Sequence, residues 1–483
     1  MTTVSASVSS APPSAPARPL KRSPVYPKAV SGVIRQAKWA ILIVCLAIYY
    51  VVPWIRWDRG AGKPHQAVLF DLASQRFYIF SIELWPQDIW LLVVAMIAAA
   101  IALFLVSSIV GRVWCGYACP QTIWTDLFML VERRIEGDRN ARMKRDAKPL
   151  TFDKAWRKIA KDLAWVVIAF WTGGAVTMYF ANAPTIVETF WTGNADSNVY
   201  IATALLTAAT YFMAGWTRSE YFCSYMCPWP RFQFAMSDEQ TMSVTYRTWR
   251  GEPRGKGKAV RGNLGDCIDC ASCVHVCPVG IDIRDGLQGE CINCGLCMDA
   301  CNHVMARTGR DPWLISWDST ANLQARTEGK PPVPFRFKRT RTVFYTVALV
   351  ALSLFMAGAL VERPLLKIVA EHDRAPLYVP LPGGGVRNAY TLHIANKVAD
   401  AGNIRLTVHG IPGAVLSTEA QRANASDALL LPVPADDNGE FRVFVTIPSQ
   451  AAVSTGSISL TAERLSDRAK AETSAVFMTG HKL

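Results

Sequence analysis

Two cysteine runs, "CIDCASCVHVCP" (267–278) and "CINCGLCMDAC" (291–301), repeat one spacing, C-x2-C-x2-C-x3-C. Thiolates two residues apart can wrap one [4Fe–4S] cube, because the amides between them must turn tightly around it. The fourth thiol, three residues further on, reaches a neighbouring cube. The spacing therefore groups Cys267, Cys270, Cys273 and Cys301 as one ligand set. Cys291, Cys294, Cys297 and Cys277 form the other. Pro278 follows the first run, whereas Asn302 stands in that place in the second. Zinc takes four ligands in two pairs, which two interleaved sets of four do not match. Crossed ligation puts the two cubes side by side and predicts a wire for electrons.

A second thiol pattern lies upstream. "WCGYACPQ" (114–121) and "FCSYMCPW" (222–229) each carry Cys-x3-Cys-Pro: Cys115 and Cys119, then Cys223 and Cys227. Residues four apart on a helix share a face, so each pair is expected to present two sulfurs in one direction. Pro120 and Pro228 suit the first turn of a following helix. The chemistry stays open at this point. Such thiols can take Cu(I), zinc or iron–sulfur, cycle through a disulfide, or simply pack as small apolar groups. Quinol chemistry near Trp114, Trp124 and Trp229 is a further option, although tryptophan is enriched at membrane interfaces in any case. Cys45 stands alone and reads as packing.

Other cofactors find little support. There is no C-x-x-C-H for covalent haem, and none of the seven histidines lies in an apolar span. "GKGKAVRGNLG" follows no strand and reads as a basic loop, not a dinucleotide site. His275 and His303, near the cysteine runs, read as solvated or packing residues.

The elements that must position these thiols are membrane helices. The chain is 51% hydrophobic yet carries a net charge of +13, which fits basic loops between long uncharged spans and not a nucleic-acid binder. Five spans are expected, at about 39–55, 89–110, 163–187, 198–217 and 342–361. A charge at mid-span costs about 2.5–3.5 kcal/mol, so uncharged runs of this length are informative. "VERRIEGDRNARMKRDAKPL" alone holds seven Lys and Arg, and 188–197 holds none. The positive-inside rule then puts the N-terminus, 112–162 and 218–341 in the cytoplasm, and 362–483 in the periplasm of a bacterium. All cysteines lie between Cys45 and Cys301, so a disulfide-rich exported domain is disfavoured and the thiols are expected to face a reducing compartment.

The expected organisation is a disordered basic tail (1–38), a four-span region (39–217) and a cytoplasmic segment (218–341). The last carries a two-[4Fe–4S] ferredoxin-like domain at about 260–310. A fifth span (342–361) and a β-sandwich (362–483) follow. The sandwich rests on "AYTLHIANK", "NIRLTVHG", "FRVFVTI" and "SISLTAE", which alternate apolar and polar residues between turn signals. The second and fourth spans both run into Cys-x3-Cys-Pro, which suggests two similar halves about a pseudo-two-fold.

The segments "YPKAVSGVIRQAKW", "WCGYACPQT", "IEGDRNARMKRD", "YFCSYMCPWPRFQ", "DCIDCASCVHVCPVGIDIRDGLQ" and "RNAYTLHIANK" resemble the CcoG (FixG/RdxA) family, accessory proteins of cbb3-type cytochrome c oxidase. The resemblance covers nearly all of the chain after about residue 25. It implies a bacterial inner-membrane iron–sulfur protein with two [4Fe–4S] clusters and an immunoglobulin-like periplasmic domain. It also implies a cupric reductase that turns Cu(II) into Cu(I) for oxidase assembly, with that machinery or copper chaperones and transporters as partners. The electron donor is left unnamed. By motif, Cys115, Cys119, Cys223 and Cys227 become candidates for copper handling or electron relay. The alternatives are a quinol-oxidising subunit feeding another reductase, and a non-enzymatic copper or assembly scaffold.

Overall fold

In the computed structural model, residues 25–60, 63–255, 264–382, 384–398, 402–419, 426–447 and 456–479 are described. The chain divides into two compact units. The first runs through Ser353, apart from Asp58–Lys63, and the second holds that short segment and everything from Leu354 on.

Among the described residues, five helices are long and apolar enough to cross a membrane: Val33–Trp54, Ile89–Val110, Phe152–Thr177, Ser197–Met226 and Thr340–Val361. The first, α1 (Val33–Val51), starts earlier than the uncharged run does. Arg35 and Lys38 lie inside it and are neutralised by one buried carboxylate, Asp126, at 3.2 and 2.9 Å. The tail expected to be disordered through residue 38 is ordered from Val25 onward; its residues 1–24 lie outside the described ones. Val25 N–H donates to Glu220, Lys28 N–H to the His275 carbonyl, and Ala29 N–H to Asp138. The amides of Ile34 and Arg35 then donate to Asp299, which satisfies orphan donors of the first helical turn. The third span ends at Thr177 and not at 187, because a turn and a separate helix, Ala183–Thr192, follow it. A three-stranded antiparallel sheet, β1 (Val68–Asp71), β2 (Arg76–Ile79) and β3 (Ile82–Leu84), fills the connection between the first two spans. This sheet is not among the elements expected from the sequence.

After α2 (Ile89–Val110) the chain makes a short helix, α3 (Val113–Tyr117), and then α4 (Pro120–Glu136). The fourth span follows the same plan less regularly. It passes into π-helical turns at Tyr211–Thr217 and Phe222–Met226, then into helix Trp229–Met236. The cysteine-rich segment is framed by an antiparallel ladder, Met242–Tyr246 against Ile315–Ser319, and by helix Leu296–Thr308.

The second unit is a β-sandwich. One sheet orders Val415–Thr418, Asp437–Ile447, Val386–Asn396 and Leu366–His372, with Val379–Pro380 at an edge. The other orders Ala428–Val433, Gly402–His409, Gly456–Arg464 and Lys470–Phe477. Alternate residues such as Tyr390, Leu392, Leu406 and Leu460 are fully buried between them, as two-fold strand periodicity requires. Tyr390 buries its ring in this core and donates its hydroxyl to the Val476 carbonyl at 2.8 Å.

Candidate functional site

The site is built from twelve thiols in three groups of four. In the first ferredoxin-type run, Asp269 and Ala271 take left-handed backbone conformations, with φ of 50° and 53°. Asn293 and Gly295 do the same in the second, with φ of 53° and 71°. Left-handed turns at matching positions curl each loop so that its amides close around a centre. Asparagine and glycine accept this readily, whereas Ala271 costs about 1–2 kcal/mol, strain of the sort that collects at functional loops. Arg284 fixes the first loop through Asp269 and Asp282, each at 2.6 Å.

Each loop pair encloses a cavity. Cys267, Cys270, Cys273 and Cys301 line one, with Tyr246 and Arg284 at its edge. Cys277, Cys291, Cys294 and Cys297 line the other, and Cys273 is on the wall between them. These are the two groups that the spacing argument gave, now brought together in space. Four thiols with no carboxylate or imidazole among them form a donor set that fits a [4Fe–4S] cube. Burial pushes the free thiols of Cys273, Cys291 and Cys301 up to about 12 and that of Cys277 to about 11. A cationic core is what would draw such buried sulfurs into the thiolate form. The Cys277 sulfur also accepts backbone N–H groups from Val279, Gly280 and Ile281, which favours its charged state.

The third group differs from the expectation. Cys115 lies in α3, but Cys119 is extended (φ −63°, ψ 129°) at the N-cap of α4. Cys223 lies in a π-turn, and Cys227 is likewise extended (φ −78°, ψ 122°). The pairs therefore do not share a helix face. The cause is the following proline, which forces the residue before it out of the helical region. Pro120 opens α4 as expected, whereas Pro228 caps the next helix and Pro230 sits inside its first turn.

The two halves still match. The Cys119 amide bonds back to the Trp114 carbonyl at 2.9 Å, and the Cys227 amide to the Phe222 carbonyl at 2.8 Å, five residues back in both. The first cysteine of each pair is buried and the second half-buried. All four thiols are within electrostatic reach of one another. Glutamines cross-link the halves: Gln121 donates to the Met213 carbonyl at 2.7 Å. Gln233 accepts from the Cys115 thiol at 3.1 Å and donates to Ser107 at 3.2 Å.

This group abuts the second ferredoxin set. Cys115 and Cys223 belong to one apolar cluster with Ile292, Cys294 and Leu296, against which Cys277, Cys291 and Cys297 also pack. Gly116 makes the approach possible, because a β-carbon there would lie 2.6 Å from the Ile292 carbonyl oxygen and 3.0 Å from the Cys294 backbone. Arg112 donates to the Gly289 carbonyl and Asn293 to the Val110 carbonyl, pinning the cluster loop to the end of α2. Gly116, Gln233 and Arg112 are the participants that motif reading missed. The first two lie inside the quoted Cys-x3-Cys-Pro segments but carry no charge and are not ligand types, and Arg112 reads as an ordinary basic residue flanking a span. Of the three tryptophans considered for quinol chemistry, Trp124 donates to Thr172 at 2.9 Å and Trp229 stacks on Phe104, whereas Trp114 is exposed.

Comparison with known proteins agrees in extent with these three parts. Residues 218–320 match a family model described as a 4Fe-4S dicluster domain. Residues 92–136 and 199–233, the two Cys-x3-Cys-Pro halves, match one described as a 4Fe-4S binding domain. Residues 356–480 match an IG-like fold at the C-terminus of FixG. Protein RdxA of Cereibacter sphaeroides is 44% identical over 92% of this chain and 94% of its own. Nitrogen fixation protein FixG of Rhizobium meliloti is 43% identical over 89% of this chain and 87% of its own. Protein RdxB of Cereibacter sphaeroides is 46% identical over 88% and 89%. A crystal structure of a FixG-related protein from Vibrio parahaemolyticus covers 24% of this chain and 98% of its own, at 17% identity and a TM-score of 0.20.

Proposed function

The chain belongs to the FixG/RdxA family of membrane iron–sulfur proteins, and from that premise we propose that it is a cupric reductase serving assembly of a cbb3-type oxidase. The observation that carries this reading is the shared apolar packing of Cys115 and Cys223 with the second ferredoxin set, closed at Gly116. It makes the membrane-edge thiols the exit of an electron path that begins at the Cys267 set. The eight ferredoxin cysteines would hold two [4Fe–4S] clusters, which supply one-electron storage and transfer.

The protein's own residues do the rest. The Asp269–Asp282–Arg284 network and the left-handed turns hold the ligand loops in place. Apolar side chains around Cys294 and Cys115 keep water from the stretch between the two groups. Cys119 and Cys227, half-buried, bring soft sulfur within reach of an incoming ion, and thiolates favour the Cu(I) state. Each Cu(II) takes one electron and leaves as Cu(I). The chain loses that electron and recovers it from a one-electron donor.

The charge pattern supports placing α4 and the ferredoxin region in the cytoplasm and the sandwich in the periplasm. There the sandwich would dock oxidase-assembly or copper-delivery partners. The test is Cu(I) production by the reduced, purified protein. Serine at Cys115 or Cys227 is expected to weaken it, and unchanged production in a variant lacking all four membrane-edge thiols would remove them from the path.

A further inference from the structure

One strand reaches both ferredoxin cavities. Val244 and Tyr246 stand two residues apart on Met242–Tyr246 and so share a face. Val244 lines the cavity of the second set, and Tyr246 lines that of the first. The strand thus offers an alkyl group to one cavity and a phenol to the other. Tyr246 pairs across the ladder with Ile315, whose amide donates to the Cys301 sulfur. The Tyr246 hydroxyl is itself in hydrogen-bond contact with the Cys267 sulfur. A single rung therefore brings two donors to the first set.

The hydroxyl has one proton and two acceptors. Its second acceptor is the Glu252 carboxylate, at 3.2 Å. That carboxylate is served without it, by the Arg254 amide at 3.1 Å and the Arg254 Nε at 3.3 Å, and its side chain is 37% exposed. Cys267 is only 8% exposed. Water can replace the proton on Glu252 and cannot on a buried sulfur, so the hydrogen bond is worth more there once the sulfur is an anionic ligand. Gly251, the last residue of the short helix Thr248–Gly251, fixes where the hydroxyl sits. A β-carbon at Gly251 would lie 2.1 Å from the Tyr246 Oη and 2.5 Å from its Cζ.

We propose that Tyr246 is a positioning residue that tunes the first centre: its hydroxyl donates to the Cys267 sulfur and raises the reduction potential of the cluster held there, with Glu252 as the competing acceptor and Gly251 as the seat that holds the hydroxyl between them. Reduction adds one negative charge to a cluster, so a donor on a ligand sulfur favours the reduced state. No proton leaves the phenol; its hydrogen bond only strengthens. A carboxylate that draws the same proton away works in the opposite direction. The assignment deepens the proposed electron path at its entry. It rests on the reading of the Cys267 set as an iron–sulfur centre and not on the copper reading.

The experiment uses the full-length chain, purified without oxygen. Iron is measured per chain, and EPR is recorded during a potentiometric titration. Cys270→Ser identifies the first-centre signal as the one it alters. Tyr246→Phe keeps the ring and is expected to retain its iron. It is expected to lower the reduced-to-oxidised ratio of the first centre at a fixed potential by about 3–10-fold, about 30–60 mV for one electron, and to move the second centre far less. Glu252→Gln is expected to shift the first centre the other way, and by more with Tyr246 present than in the Tyr246→Phe background. Gly251→Ala is expected to approach the Tyr246→Phe midpoint, because it displaces the hydroxyl. An unmoved first centre in Tyr246→Phe, or an equal shift of both centres, overturns the assignment. Equal Glu252→Gln shifts in the two backgrounds overturn the competition for the proton. If Tyr246→Phe loses its iron, a Gly251→Ala first centre at the wild-type midpoint overturns the assignment instead. A wild-type chain with no first-centre signal would overturn the iron–sulfur reading of the Cys267 set, and this assignment with it. The expected shifts in a protein that leaves Cu(II) untouched would refute the copper reading alone.

Discussion

Alanine at position 116 adds one methyl group where α3 meets the second cluster loop. Its β-carbon would lie 2.6 Å from the Ile292 carbonyl oxygen, whereas ordinary contact begins at 3.4 Å. It would also lie 3.0 Å from the Cα and amide nitrogen of Cys294. All of these are backbone atoms, so no side chain can swing aside. The helix or the loop must retreat by about 0.8 Å, and overpacking of this sort costs about 1–3 kcal/mol. Spent on separating the two groups, that energy lowers the docked population by about 5–150-fold. The assay is thermal unfolding of the detergent-solubilised protein beside its rate of Cu(I) production from the reduced state. Gly116→Ala is expected to melt earlier and turn over more slowly with its iron content intact. Gly174→Ala is the control, because nothing lies within 4 Å of its new methyl and its helix gains about 0.5–1 kcal/mol. A Gly116→Ala protein with wild-type melting and rate would refute the contact and the path argued from it.

Other predictions follow from single residues. Asp126→Asn strips Arg35 and Lys38 of their shared carboxylate, which is expected to cost about 3–5 kcal/mol and to appear as a lower melting temperature. Cys291→Ser removes a ligand of the second set and is expected to stop electron flow to copper, so full flow in that variant would break the proposed order of centres. In intact cells, a cysteine at Asn194 is expected to react with a membrane-impermeant thiol reagent and one at Lys148 is not; both positions are exposed in the structure, and the reverse pattern would invert the topology. Tyr390→Phe removes the hydroxyl that serves the Val476 carbonyl and is expected to destabilise the sandwich by about 1 kcal/mol, read as a shift in its unfolding midpoint.

The sequence made some of these features legible and hid others for physical reasons. The ferredoxin cysteines were readable because a cube dictates spacing along the chain. The left-handed turn at Ala271 was not, since alanine avoids that conformation and only the ligand loop demands it. The second and fifth spans were bounded by their flanking charges, whereas Asp162 and Glu188 misplaced the third, which runs over Phe152–Thr177, and the fourth continues through π-helical turns to Met226. The first was read short because Arg35 and Lys38 count against membrane insertion until Asp126, some ninety residues away, is brought beside them. The thiol pairs were placed on helix faces by their spacing, and the prolines that follow them undid that geometry. The small sheet at 68–84 carries only short alternating stretches, too brief to stand out inside a connection. Arg112 looked like one more basic residue at a span end, and its burial against the second cluster loop exists only in three dimensions.

The most direct test of the electron path is a stopped-flow experiment on the anaerobically reduced full-length protein mixed with Cu(II). Re-oxidation of the ferredoxin centres is followed by absorbance and freeze-quench EPR, and Cu(I) is trapped by a chromogenic chelator. The account predicts that both signals share one rate constant in the wild type, and that with serine at Cys115, Cys119, Cys223 and Cys227 the ferredoxin centres stay reduced while Cu(II) persists. Cu(I) forming while those centres remain reduced, or forming at the wild-type rate in the four-serine variant, would contradict it.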